Sequence, residues 1–448
     1  MLLLSRLGVE NFRCFRKKEP LVEFHPELTV LVAKNGNGKS AILDAIRISL
    51  GTFTKAFETL SQSNISKSDA SISPERIELG KGACYPVRIA VEGVVDGVRE
   101  CWERALQDID GHTTSKLAKA ISSYGEKLKL GVSSDNGNVE LPIIAHYGTG
   151  RLWGDDRSYW FDPEHDFASE DRFAGYEDAL TPNSIYAQVK RWMSYAFQVK
   201  SNPVECETRI GKLISDQYSA VESAVNRILR GTGFRAPHYN FTYRDMSVLC
   251  ERPEGCIPVQ ISHTSDGVKA AIALVADIAY RCVRLNPSYG ADACARTQGV
   301  VMVDEIDLFL HPSWQQRFVS DLREIFPRIQ FIVSTHSPQV VSSVPRECIR
   351  VIAEDCVYSP EGPTQGVEIN DLLLNVFGTD PVPEQLEIVK KLNQLLVLAA
   401  EGEPNGDRWN PVYKALLEHY GANYGPLVGA VRQRDFILRM REARNAQA

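Results

Sequence analysis

Apolar and polar positions alternate in strand fashion from residue 5 to residue 33. Gly8-Val-Glu-Asn-Phe-Arg-Cys-Phe15 leads through a basic turn, Arg16-Lys-Lys18, into Leu21-Val-Glu-Phe24 and then the apolar run Leu28-Thr-Val-Leu-Val32. Val87-Arg-Ile-Ala-Val-Glu-Gly93 and Val98-Arg-Glu-Cys-Trp102, separated by Asp96-Gly97, predict a β-hairpin. The N-terminal third is therefore expected to form a mixed sheet. From Gly150 to about Arg235 the pattern turns to loops rich in Asp, Trp and Tyr and then to helices, Ile185–Phe197 and Ile210–Leu229. These read as a helical insertion, too short for a long coiled-coil arm, which needs sustained heptads.

Strands return between Tyr239 and Ile261, and a helix follows over Val268–Val283. Two almost wholly apolar strands come next, Gly299–Glu305 and Gln330–His336. Between them Trp314, Phe318, Leu322, Ile325 and Phe326 recur at three and four residues, and Pro327 ends that helix. Strand, helix and strand with such apolar strands predict a parallel βαβ unit. The chain closes with a helical appendix, Glu384–Ala400, Pro411–Tyr420 and Pro426–Ala443. The expected class is α/β.

Composition narrows the function without naming it. With 448 residues, 44% hydrophobic and 24% charged, the chain has room for two or three domains, or for one large α/β core with inserted segments. A net charge of −7 argues against wholesale coating of nucleic acid and leaves a local basic groove open. Apolar runs such as Leu395-Leu-Val-Leu-Ala-Ala400 fall far short of the roughly 20 residues that span a membrane. Met1-Leu-Leu-Leu-Ser lacks the basic start and length of a signal peptide, so a cytoplasmic protein without a membrane partner is expected. Ten cysteines occur without C-x-x-C spacing, the closest pair being Cys250 and Cys256, which points to free thiols rather than zinc.

Candidate chemistry begins at Ala33-Lys-Asn-Gly-Asn-Gly-Lys-Ser40, placed between the apolar run and Ala41-Ile-Leu-Asp-Ala-Ile-Arg-Ile-Ser-Leu50, which has helical spacing. Strand, glycine loop and helix in that order make a phosphate cradle, and ATP is the expected ligand. Gly36 and Gly38 let backbone N–H groups converge on phosphate, Lys39 supplies a point charge, and the Ser40 hydroxyl suits Mg²⁺. Asn35, Asn37 and Ala41 complete the candidate cofactor-binding set. The usual first glycine is replaced by Ala33, so either Ala33 keeps φ negative and the cradle survives, or the loop is displaced and turnover suffers. A plain Gly/Asn turn is the competing reading.

Asp304-Glu305 ends an apolar strand, where ligands meet open α/β sheets. Asp304 can hold Mg²⁺ through water while Glu305 orients or deprotonates the attacking water; the alternative is a solvated strand end. His336, in Ser334-Thr-His-Ser-Pro338, can sense the γ-phosphate or can simply cap the strand. Ser265-Asp-Gly-Val-Lys269 offers either a second anion site at a helix N-terminus or an ordinary N-cap.

In order, Asn-Gly-x-Gly-Lys-Ser, Ser-Asp-Gly, four aliphatics with Asp-Glu, and Thr-His-Ser-Pro resemble the ABC-type ATPases of the SMC, RecF and OLD group. The resemblance covers roughly residues 1 to 355. It implies an ATPase head in which Ser265 and Gly267 of one subunit close over the γ-phosphate held by another. Asp307 then contacts the dimer partner, His336 is the switch histidine, and Arg13 lies near the nucleotide phosphates. The glutamine loop of these ATPases has no evident place. More narrowly, Asp304-Glu-Ile-Asp-Leu-Phe-Leu-His-Pro-Ser-Trp-Gln315, His146-Tyr-Gly-Thr-Gly-Arg151 and Val376-Phe-Gly-Thr-Asp380 resemble standalone ATPases of bacterial anti-phage systems, the Septu and retron PtuA type and the PARIS AriA type. In that group the ATPase oligomerises and controls a separate nuclease, of HNH or Toprim type.

A nuclease within this chain is rejected. Leu396-Val-Leu-Ala-Ala-Glu-Gly-Glu403 is followed by fewer than fifty residues, without an Asp-x-Asp pair, where a domain needs about a hundred. The segment fits a helix with Leu386, Val389, Leu392 and Leu396 on one face. Arg432, Arg434, Arg439, Arg441 and Arg444 form a solvated face or a contact for DNA or an acidic partner. The expected layout is residues 1–149 and 238–369 as the two parts of the head, 150–237 as the insertion, and 370–448 as a partner or oligomerisation region. The rivals to nuclease control are a RecF-like repair ATPase that clamps DNA and an ATP-gated scaffold with little hydrolysis. A transporter subunit is disfavoured because Ser-Asp-Gly departs from the transporter signature.

Overall fold

Leu28–Ala33 is apolar on every residue but one, and every residue is buried, which only a strand covered on both faces can satisfy. It is β3 of a six-stranded sheet. In this computed structural model, which describes residues 1–16, 21–57, 63–73, 82–134, 139–150, 171–181, 186–240, 245–353 and 356–445, β3 lies between β11 (Ile329–Thr335) and β12 (Ile349–Ala353). Beyond β11 come β10 (Gly299–Val303) and β6 (Ile143–Tyr147), and these five strands are parallel. An antiparallel edge strand, β13 (Cys356–Tyr358), makes the sheet mixed. This order brings the loops that follow β3, β10 and β11 out at one edge, the carboxyl ends of the strands.

The N-terminal third does not form one mixed sheet, contrary to the sequence expectation. β1 (Leu2–Glu10), β2 (Leu21–Glu23), β4 (Val87–Val95) and β5 (Val98–Leu106) make a separate, wholly antiparallel sheet in the order β2-β1-β4-β5, while β3 leaves it. The reason lies in the side chains: β1 largely alternates between buried and partly exposed positions, as a sheet with one covered face requires, whereas β3 does not alternate. Asp96 and Gly97, both at positive φ, close the β4–β5 hairpin as predicted. A third antiparallel sheet holds β7 (Phe234–Asn240), β8 (Asp245–Arg252) and β9 (Gly255–Gln260).

Helix α1 (Lys39–Thr54) follows the glycine loop, and α2 (Lys119–Ser133) packs on it. The region read as an insertion contains α3 (Tyr186–Ser201) and α4 (Arg209–Ile228), which pack on α5 (Asp266–Leu285). Most of its Asp, Trp and Tyr-rich loop, together with Lys17, Lys18 and Arg151, lies outside the described residues. Between β10 and β11 runs α6 (Pro312–Ile325), with Trp314, Phe318, Leu322 and Ile325 buried, which completes the predicted parallel βαβ unit. Among the described residues no helix is long and apolar enough to cross a membrane.

The chain divides into two units, Met1–Phe377 and Gly378–Ala448. In the second, α7 (Glu387–Ala400), α8 (Asn410–Tyr420) and α9 (Gly425–Asn445) enclose Leu395, Leu398, Trp409, Leu416 and Leu427. The buried stripe of α7 differs from the predicted one: Leu395, Leu398 and Ala399 face inward with Val389, and Leu386 and Leu396 are exposed. Continuous apolar residues over Leu395–Ala400 left periodicity unable to choose the face. Within the arginine run, Arg434 is buried with its guanidinium 4.2 Å from the Trp409 ring centroid and bonded to Asn405 and Asp435, and Arg441 donates to the Gly402 and Glu401 carbonyls. Those two arginines tie α9 to the segment between α7 and α8.

Side chains bridge two sheets of the first unit: Arg350 of β12 donates to the Glu23 carbonyl of β2 at 2.7 Å, and a buried amide does the same deeper in. The Gln330 side chain on β11 accepts from Leu4 N–H at 2.8 Å and donates to the Leu4 carbonyl at 2.8 Å, where β1 shifts register between Leu4 and Arg6. Gln330→Leu would leave both Leu4 groups buried without partners, at about 1–3 kcal/mol each. We expect a loss of about 2–6 kcal/mol in chemical denaturation; a variant as stable as wild type would show that water replaces the amide.

Candidate active site

Backbone geometry fixes the glycine loop first. Ala33 is the buried last residue of β3 and is absent from the positive-φ positions, so its methyl fits strand backbone and the cradle keeps its shape. Asn37 N–H donates to the Lys34 carbonyl at 3.2 Å, and Ile42 N–H to the Gly38 carbonyl at 2.9 Å, where α1 begins. Gly36 and Gly38 take φ of 83° and 96°, and a Cβ on Gly38 would stand 2.5 Å from the Phe15 ring, so glycine is required there on two counts. Asn35 and Gly36 are exposed at the tip, Asn37 is half-buried and Ala41 is buried. Lys39 points back under the loop, its Nζ donating to the Ala33 carbonyl at 3.1 Å. Burial pushes the Lys39 pKa down while Asp304, Glu305 and Asp307 pull it up, and the result is a lowered value.

The acidic loop meets this cradle. Ser40 Oγ donates to Asp304 Oδ2 at 2.7 Å, joining residues 264 positions apart. Asp304 N–H donates to the Tyr147 carbonyl at 2.8 Å, and the Ser334 hydroxyl donates to Asp304 Oδ1. The same Ser334 oxygen accepts from Glu305 N–H at 2.8 Å, and its carbonyl accepts from Ile306 N–H at 2.9 Å. Glu305 sits at φ 48° and Phe309 at φ 65°, a backbone that non-glycine residues rarely adopt. Thr335 Oγ1 donates to Asp307, Ser337 N–H donates to Thr335 Oγ1 at 2.9 Å, and Ser337 Oγ donates to Gln315 Oε1 at 2.7 Å. His336 is half-buried between these residues, at the end of β11. Ser334, Thr335 and Gln315 therefore hold the loop, a role that sequence reasoning missed although all three lie inside or beside the runs it singled out.

Ser265 immediately precedes α5, and its side chain makes no capping bond. Among the described residues no side-chain hydrogen bond joins it to the glycine loop. Gly267 has a different constraint: a Cβ there would stand 2.4 Å from the Phe309 carbonyl oxygen, in the acidic loop. Farther along α5, Asp277 accepts from Tyr147 Oη and from Arg281 Nε, each at 2.6 Å, in a buried cluster that ties α5 to β6. Arg13, at φ 51°, bonds Asp69 through Nε at 2.9 Å and Asp44 of α1 through NH1. Burial pushes the Asp44 pKa up, but Arg47 and Arg13 outweigh it and hold the carboxyl below its ordinary range. The guanidinium of Arg13 is thus already matched by two carboxylates.

Residues 6–209 match a family described as "AAA domain", and residues 206–342 match one described as "AAA domain, putative AbiEii toxin, Type IV TA system". The chain is a P-loop ATPase. Its α/β class is the one that the sequence led us to expect. The ATPase is 27% identical to the Retron Vc95 probable ATPase of Vibrio cholerae serotype O1 biovar El Tor, over 93% of this chain and 87% of that protein. It is 25% identical to the Retron Ec83 probable ATPase of Escherichia coli, over 95% of this chain and 85% of that protein. A shorter match, 33% identical, joins it to the Septu protein PtuA of Bacillus mycoides (strain KBAB4), over 31% of this chain and 20% of that protein.

The contact at Gly267 makes the ATPase testable at its acidic loop. Gly267→Ala forces either α5 or the Phe309 backbone to shift, at about 1–3 kcal/mol for overpacking. Chemical denaturation should register that loss; a variant with unchanged stability would mean that the loop yields freely.

Proposed function

We propose that this ATPase binds Mg²⁺-ATP in the cradle, hydrolyses it slowly, uses it to close a homodimer or higher oligomer, and thereby controls a separate nuclease subunit of HNH or Toprim type in anti-phage defence in the cytoplasm. The observation that carries the reading is the Ser40–Asp304 hydrogen bond beside the buried Lys39, whose charge Asp304 favours; it joins two motifs 264 positions apart. Likeness to the retron ATPases and to PtuA supports the defence setting.

The donors suit the ion. Ser40 donates a hydrogen bond to Asp304 and keeps lone pairs on Oγ, and Asp304 offers carboxylate oxygens, the hard ligands that Mg²⁺ takes with retained waters. When bound, the ion would neutralise charge on the phosphate oxygens. Gly36 and Gly38, with Asn35, Asn37 and Ala41 around them, would direct backbone N–H groups at phosphate, and Lys39 would reach the terminal oxygens. Glu305 would orient or deprotonate the attacking water, and His336 would report the γ-phosphate. Arg13 would act through Asp44 and so through α1. Ser265, Gly267 and Asp307 would face a second copy. Residues 370–448, most of which form the second unit, would serve assembly or partner binding.

One observation favours a second reading, direct contact with DNA. Lys55, Lys116, Lys119 and Lys127 line a groove of about 700 Å³ between α1 and α2 together with Ser115 and Ser122. Lysines and hydroxyls of this kind contact phosphate backbones, and such binding would weaken linearly in log affinity against log salt.

Two variants test the primary reading. Lys39→Ala should lower ATP affinity about 10–100-fold, the worth of a charge-assisted contact, in equilibrium titration. Glu305→Gln should keep ATP, slow phosphate release about 100-fold or more and accumulate dimers in size-exclusion with light scattering. Unchanged ATP affinity in Lys39→Ala would end the reading, and wild-type phosphate release equal to that of Glu305→Gln would turn it into a nucleotide-gated scaffold.

A further inference from the structure

His146 lies on β6 opposite Met302 of β10, and pleat alternation carries Met302's sheet face on to Asp304. The histidine is 6% exposed, and its Nδ1 is buried with no hydrogen-bond partner among the described residues. The charges it feels are those of Asp44, Arg47 and Asp304. Asp44 and Arg47 lie about one and two turns along α1 from Ser40, on the same helical face. His146 therefore stands where the polar seam of α1 meets the acidic strand end. Burial pushes its pKa down to about 4 against the pull of Asp44 and Asp304, which leaves a neutral ring with one N–H and one lone pair.

The neighbouring carboxylates already have protein donors. Asp44 takes Arg47 Nε on Oδ1 and Arg13 NH1 on Oδ2, while Asp304 takes Ser334 on Oδ1 and Ser40 on Oδ2. A ring nitrogen left unpaired in this setting costs about 1–3 kcal/mol, which an apolar side chain would avoid. Each carboxylate still has lone pairs, so Nδ1, Asp44 and Asp304 together offer the two to four polar partners that a buried water requires.

We propose that His146 is a positioning residue of the nucleotide site, whose Nδ1 holds, against Asp304, a water from the hydration shell of the Mg²⁺ that accompanies ATP. The inference rests on the magnesium–ATP reading above. Groups behind the direct ligands of a metal ordinarily change its affinity 10–100-fold when removed. Ser40 and Asp304 can supply only a small part of an octahedral shell, so the waters need orienting groups of their own.

The test is equilibrium binding of ATP to the full chain, in Mg²⁺ and in EDTA, for wild type, His146→Leu, His146→Asn and His146→Gln. The gain in affinity that Mg²⁺ confers should fall about tenfold in His146→Leu and His146→Gln and return in His146→Asn, whose amide nitrogen sits at the position of Nδ1. Affinity in EDTA should be equal in all four. Equal losses with and without metal, or equal behaviour of the Asn and Gln variants, would overturn the assignment, and that pair decides the matter if the Leu variant does not fold. A wild-type chain whose ATP affinity ignores Mg²⁺ would overturn the magnesium–ATP reading itself, whereas a metal-dependent wild type with an unaffected Leu variant would overturn only the role of His146.

Discussion

A carboxylate at the end of a wholly buried strand is costly unless donors surround it, and Asp304 meets that cost with hydroxyls from two distant parts of the chain while a third holds its backbone. Ser40 comes from the first turn of α1, Ser334 from β11, and the carbonyl that receives the Asp304 N–H belongs to Tyr147 of β6. None of these can be in place unless β11 and β6 flank β10 and β3 lies beyond β11. The parallel order of the central sheet and the composition of the site are therefore one requirement seen twice. Lys39 adds the balancing cation: desolvation lowers its pKa, and the nearby acids Asp304, Glu305 and Asp307 offset part of that.

Features written in local spacing were legible in the sequence. The glycine loop between apolar strand and helix, the acid pair closing a run of aliphatics, the Asp-Gly hairpin and the helix from Trp314 to Ile325 each follow from neighbours a few residues apart. Contacts closed over hundreds of residues were not legible. Gln330 reads as one polar residue in an apolar strand, yet its amide completes the hydrogen bonding of Leu4, 326 positions away. Ser334 and Thr335 stood inside a run already singled out, but a hydroxyl does not announce which carboxylate it will meet. Arg13 likewise identified itself only by type, and its pairing with Asp44 and Asp69 needed three segments to converge.

Burial pattern explains both departures from expectation. In the N-terminal third, Leu2–Glu10 carries the partial alternation of a one-sided sheet and Leu28–Ala33 does not, so the two could not share a sheet. In α7 the uninterrupted run Leu395–Ala400 supports several apolar faces, and packing around Trp409 selected one of them. The arginine run that follows divides in the same way. Arg434 stacks on Trp409 because its aliphatic stem and planar head cover an aromatic face well, a use of arginine that charge counting does not see.

Backbone strain concentrates where the acidic loop faces α5. Glu305 and Phe309 both occupy the left-handed region, at a cost of order 1–3 kcal/mol each, and each is pinned from outside the loop. The Ser334 hydroxyl fixes Glu305 through its N–H, and the bare backbone of Gly267 fits against the Phe309 carbonyl. Because Ser334 also donates to Asp304, one hydroxyl ties the strained glutamate to the carboxylate beside the cradle. Gly267 in turn starts the helix that Tyr147, Asp277 and Arg281 anchor to β6. A change at the cradle that alters what Asp304 accepts must therefore pass to Glu305, and a change in the start of α5 must pass to Phe309 in the same short loop. The cradle and the start of α5 thus bear on one strained segment, which is the physical condition for them to act on each other.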